Sequence, residues 1–97
     1  MATAALLAKV KTALRISHSK LDNELLDRVR AAQAEMIRVG VDPNKAYEDT
    51  DPLICDAVKT YCQYAFTDDK KKREGFYASF VCQVDGLRKS KDYRREE

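Results

Sequence analysis

Apolar side chains recur at intervals of three and four residues along most of this chain, a spacing that restricts it to helices packed face to face. Only three Gly and two Pro interrupt the pattern. A β-sandwich or barrel would need turn residues roughly every 8–12 positions, and this chain does not have them. At 97 residues the chain is long enough for one domain with one modest core, burying about 60–68% of its unfolded surface. The expected class is therefore all-α: a small four-helix bundle-like domain.

Four segments carry the periodicity. The first runs from about Thr3 to Leu14, with Leu6, Leu7, Val10, Ala13 and Leu14 on one face. The second, Asn23 to Val39, is expected to start at an Asp22 cap, because a side-chain oxygen there can accept one of the free N–H groups of the first turn. It should stop at Gly40, which tolerates the left-handed backbone that ends many helices. Residues 41–50 have no period and read as a long loop between helices two and three. Asp51-Pro52 then gives a cap followed by Pro at the first helical position, where its missing N–H costs nothing. The third helix reaches about Phe66, and its apolar arc exceeds half the circumference, so it is either the central helix or is also covered by a neighbouring subunit. Thr67-Asp68-Asp69 ends that helix and can start the fourth, Lys70 to about Lys89, whose buried face is read as Phe76, Tyr77, Phe80, Val84 and Leu87. Gly75 and Gly86 should weaken it, each by about 1 kcal/mol relative to Ala. Residues 1–89 thus make the helical domain, and 90–97 a polar tail expected to be mobile in a free monomer.

Charge separates these regions. Net charge is +2 overall but +4 in residues 70–97, where nine Lys or Arg face five Asp or Glu. This is less concentrated than the footprint of a dedicated DNA-binding domain. No segment approaches the roughly 20 apolar residues that span a bilayer, and Ala4 to Ala8 is too short for a secretory h-region. Cys55, Cys62 and Cys82 form no C-x-x-C pair or zinc spacing, so they read as free thiols of a chain made in the cytosol.

No residue set calls for catalysis. His18, the one histidine, lies at a helix junction with no ligand at metal spacing, and no serine sits in a nucleophile elbow. The glycines are scattered singly, unlike a phosphate-cradling loop. Asp49, Asp51, Asp68 and Asp69 fall at helix starts, where carboxylates complement the macrodipole. The reading is no catalytic residue, no cofactor and no metal. Lys70, Lys71, Lys72 and Arg73 oppose the dipole of their helix and so must be solvated or meet something acidic. Tyr93 is an aromatic within a charged tail, which suits a docking anchor.

Taken in order, these residues resemble a family. Leu6-Leu7-Ala8-Lys9-Val10-Lys11-Thr12-Ala13-Leu14-Arg15-Ile16 and then Leu21-Asp22-Asn23-Glu24-Leu25-Leu26 look like the start of the small head-tail connector proteins of long-tailed bacteriophages. The likeness continues through Asp51-Pro52-Leu53-Ile54, Ala57-Val58 and Tyr61-Cys62 to Phe76-Tyr77 and a short polar tail with Tyr93. Gly75 and the dense Lys70 to Arg73 run depart from the family pattern. The resemblance implies a structural virion protein at the head–tail interface, made in the host bacterial cytoplasm. It would form a homo-oligomeric ring, about twelve subunits, docked beneath the portal protein. That ring would extend the DNA channel after packaging and receive the next head-completion or tail protein.

A closed ring needs two different patches per subunit. Candidates are Ala31 and Ala34 on helix two and Leu53, Cys62, Tyr64 and Phe66 on the arc of helix three. Lys91, Tyr93, Arg94 and Arg95 are the candidates for portal docking, and Lys70 to Arg73 for a transient, sequence-independent contact with phage DNA. No membrane contact is expected. The alternative is a small helical DNA-binding or DNA-packaging regulatory protein, against which the ten-residue link between helices two and three is longer than a helix-turn-helix connection.

Overall fold

The computed structural model describes residues 4–95. It is all-α, with α1 Ala4–Leu14, α2 Asp22–Val39, α3 Pro43–Ala46, α4 Pro52–Phe66 and α5 Lys70–Lys89. Four long helices thus match the sequence reading within a residue or two at their described ends, while Thr3 lies outside the described residues. The principal departure is α3, one helical turn inside the segment read as loop. Asp42 accepts a hydrogen bond from the Asn44 N–H and Pro43 takes the first helical position, the same device that starts α4.

α4 is the hub, packing against α1, α2 and α5. Ile54, Cys55, Ala57, Val58 and Cys62 are its buried residues. They meet Leu6 and Val10 of α1, Leu25, Val29, Ala32 and Met36 of α2, and Phe80, Val84 and Leu87 of α5 in one continuous core. The wide apolar arc of this helix is thus used chiefly within the subunit. Cys62, expected on an intersubunit surface, is completely buried. Burial pushes its thiol up to about 12, leaving it an inert core residue.

Helix ends follow local chemistry, with one correction. Asp51 accepts from Leu53 and Ile54 N–H and caps α4, and Asp69 accepts from Lys72 N–H and caps α5. Asp22 does not cap α2. Its carboxylate instead accepts from Lys11 Nζ at 2.8 Å, tying α2 to α1. Gly40 ends α2 with φ +121°, a conformation closed to most L-residues.

One core position departs from the pattern. Gln33 is fully buried on the apolar face of α2, and neither its amide nitrogen nor its carbonyl oxygen has a hydrogen-bond partner among the described residues. An unsatisfied buried amide costs about 1–3 kcal/mol. Gln33→Met, close to isosteric and without the polar atoms, is therefore expected to raise stability by roughly 1–3 kcal/mol, seen as a higher urea midpoint with an unchanged slope.

Candidate functional site

Three surfaces carry the residues singled out by sequence. The first is the tail. Past α5, Ser90 opens a turn in which Tyr93 and Arg94 N–H donate to its carbonyl. The chain then runs back along the α2–α3 link: Asp42 N–H donates to Tyr93 O, Arg95 N–H donates to Gly40 O, and Val41 pairs with Arg94 as an isolated antiparallel bridge. Tyr93 packs on the core, and its hydroxyl donates to both Asp51 oxygens, at 2.8 and 3.1 Å. That hydrogen bond holds the phenol above its ordinary pKa, with burial adding to it. Lys45 Nζ lies 5.8 Å from the centre of the ring. Of the four docking candidates, Tyr93 is therefore half-buried and faces inward, while Lys91, Arg94 and Arg95 are exposed. Asp51 joins the two jobs, capping α4 and holding the tail, a role with no local sequence signal.

The second surface is the start of α5. Lys70, Lys71, Lys72 and Arg73 are all exposed, and among the described residues none forms an ion pair. Arg73 donates to Thr67 O at 2.8 Å, so one guanidinium of the run is held by backbone. The rest of this cluster is a solvated patch of positive charge.

The third surface is apolar. Leu53 is 53% exposed, and Tyr77 and Val81 are each 47% exposed. Tyr77 was expected on the buried face of α5 but lies beside it, its ring 5.1 Å from that of Tyr64. Tyr64 and Phe66 are half-buried and line a cleft of about 540 Å³ with Glu24, Asp27, Arg28 and Arg73. Leu53 stands apart, in a groove of about 280 Å³ with Cys82, Gly86 and Tyr93. Ala34 is exposed and Ala31 half-buried on α2. The interface candidates are thus divided among different faces, and Val81 was missed by sequence. Its signal was the i, i+4 pairing with Tyr77, about 60–100° off the buried stripe.

His18 is exposed, its Nδ1 accepting from Lys20 N–H within a local turn. Among the described residues no group of three His, Cys, Asp or Glu could hold a metal ion, and no helix is long and apolar enough to cross a membrane. What these surfaces offer is contact area, charge and a hooked tail.

Comparison with known proteins agrees with the family resemblance. A family model described as phage connector protein matches residues 6–87, from the first buried leucine of α1 to the last of α5. Searches of the curated proteins and of the solved structures found no match. The chain belongs to the phage connector protein family, structural proteins of the phage head–tail connection.

Proposed function

We propose that this chain forms a ring beneath the portal of a filled phage head, extends the DNA channel there and presents a platform to the next head-completion or tail protein. It acts by assembly and carries out no reaction. The observation that carries this reading is the family match over residues 6–87. Its support in the geometry is exposed apolar area on two separate faces, Leu53 on α4 and Tyr77 with Val81 on α5, since large exposed apolar side chains on a small domain mark contact sites and a closed ring needs two different patches per subunit. Lys91 and Arg94 are exposed on the tail beside Tyr93, and Arg95, whose guanidinium donates to the Ile37 carbonyl, stands next to them; these are the cations for portal docking. Light scattering over a concentration series tests the assembly. The mass should rise above the 11.1 kDa of one chain toward a closed oligomer, alone or when portal complexes are added.

DNA passing through such a ring must not be gripped. Lys70, Lys71, Lys72 and Arg73 supply at most four phosphate contacts, so the logarithm of the affinity should fall with the logarithm of salt with a slope no steeper than about −4. Gel shifts with unrelated duplexes should be equally weak and vanish by physiological salt. A tight complex with one sequence that persists in salt would favour the DNA-binding regulator instead.

A further inference from the structure

Tyr64 and Arg73 stand where two clefts meet. On one side lies the cleft of about 540 Å³ whose aromatic wall is Tyr61, Tyr64 and Phe66. On the other lies a second, of about 350 Å³, lined by Tyr64, Arg73, Glu74, Tyr77 and Ala78. Both volumes fall within the roughly 300–1,000 Å³ of small-molecule sites. The Tyr64 ring is common to the two, its centre 5.7 Å from that of Tyr61 and 5.1 Å from that of Tyr77. One aromatic trough therefore crosses from α4 to α5 in two steps.

The cations along this trough are free. Arg28, Arg73 and Lys70 form no ion pair among the described residues. Arg28 lies close enough to Tyr61 to act on it: burial raises that phenol's pKa, and the Arg28 charge opposes the rise. Arg73 is oriented by its bond to the Thr67 carbonyl. Lys70, Arg73 and Tyr77, three and four residues apart, share an arc of about 60° on α5. Of the acids, Asp27 is already met by Arg30 at 3.5 Å, which leaves one unpaired carboxylate in each cleft, Glu24 in the larger and Glu74 in the smaller. The neighbouring groove between α2 and α5 is different, because its Arg38 and Arg88 are neutralised by Glu35 and Asp85.

Two ring-lined clefts with a cation between them, and an acceptor in each, call for flat rings that carry N–H donors and are joined by an anion. An acidic peptide brings anions but sets more carboxylates against Glu24 and Glu74. A duplex brings anions but keeps its base faces in the stack. We infer that the trough holds two consecutive nucleotides of an unpaired nucleic-acid strand, one base in each cleft beside Tyr64 and the phosphate between them on Arg73. Arg28 and Lys70 serve the phosphates on either side. Aromatic contact with bases tolerates any sequence, since every base has a flat face, and Glu24 and Glu74 accept from N–H groups on the base edges. This goes beyond the ring reading and does not depend on it, because a single subunit carries the whole trough. In a ring, such subunits would let duplex slide past and retain an unpaired stretch.

Fluorescence anisotropy with the full-length chain tests the site. A short labelled oligothymidylate, or its RNA counterpart oligouridylate, should bind at least about tenfold more tightly than a duplex of the same length or an acidic tyrosine-containing peptide. The tighter of the two strands names the source. Binding should also quench tyrosine emission, which no Trp obscures in this chain. Tyr77→Ala, at a position 47% exposed, should change Tm little and lose about tenfold in strand affinity. Arg28→Gln should weaken strand binding and reduce its salt slope by about 0.7, while Lys89→Gln, at the opposite end of α5 from Lys70, should leave it unchanged. Strands that bind no better than the duplex or the peptide, or whose affinity survives both Tyr77→Ala and Arg28→Gln, overturn the site and leave the ring reading standing.

Discussion

Replacing Ile54 by Ala is expected to remove about 2–5 kcal/mol of stability. That is a large share of the roughly 5–15 kcal/mol that holds a domain of this size together. The reason is position. Ile54 is fully buried in the first turn of α4, the helix that α1, α2 and α5 all pack against. Truncation there leaves a cavity walled by several helices, which cannot all close in on it. The adjacent residue supplies the control: Leu53 is 53% exposed, so Leu53→Ala should change stability by no more than about 0.5 kcal/mol. Urea unfolding should show the Ile54→Ala midpoint falling sharply with its slope unchanged, and the Leu53→Ala midpoint staying close to the wild type.

The second large effect is at Asp51. Asp51→Ala is expected to cost about 2 kcal/mol, because it removes the cap of α4 and the acceptor of the Tyr93 hydroxyl together. Tyr93→Phe keeps the ring on the core and should cost about 1 kcal/mol by itself. In the Asp51→Ala background the same change should cost almost nothing, since its partner is already gone. Hydrogen exchange at the Asp42 and Arg95 amides, whose bonds close the hook, should quicken in both variants.

Tyr93 also sets the pH limit of the hook. Its folded pKa is raised, first by the hydrogen bond to Asp51, because the phenol must keep its proton to donate. The stabilisation is therefore complete below the ordinary tyrosine pKa of about 10 and is lost as pH rises through the raised value, where a phenolate would face a carboxylate. Tyr93→Phe should remove that alkaline loss from the stability profile.

Most of the helical plan could be read from sequence because its causes are local. The apolar stripes, the Asp51-Pro52 cap, the break at Thr67-Asp68-Asp69 and the Gly40 stop each act locally. α3 carried the same Asp-Pro signal but spans only four residues, too few for any apolar period to support it. Asp22 was misread because its partner, Lys11, comes from the preceding helix and outcompetes the cap. The hook of Tyr93 on Asp51 joins residues 42 apart, which no local pattern reports. Cys62 was placed outside and Tyr77 inside for one reason. Each sits at the edge of a broad apolar arc, where only the crossing of neighbouring helices decides which flank is covered. Gly75 and Gly86 were read as weak points, but α5 runs unbroken through both, and the space around them became visible only once α4 and α5 were packed together.

The central claim is that this chain completes a phage portal as a ring. Its most direct test is negative-stain imaging of portal complexes incubated with the purified full-length chain. The account predicts an added ring of density coaxial with the portal channel, open at its centre. Portals that stay bare at saturating concentration, with the chain monomeric in the same sample, would contradict it.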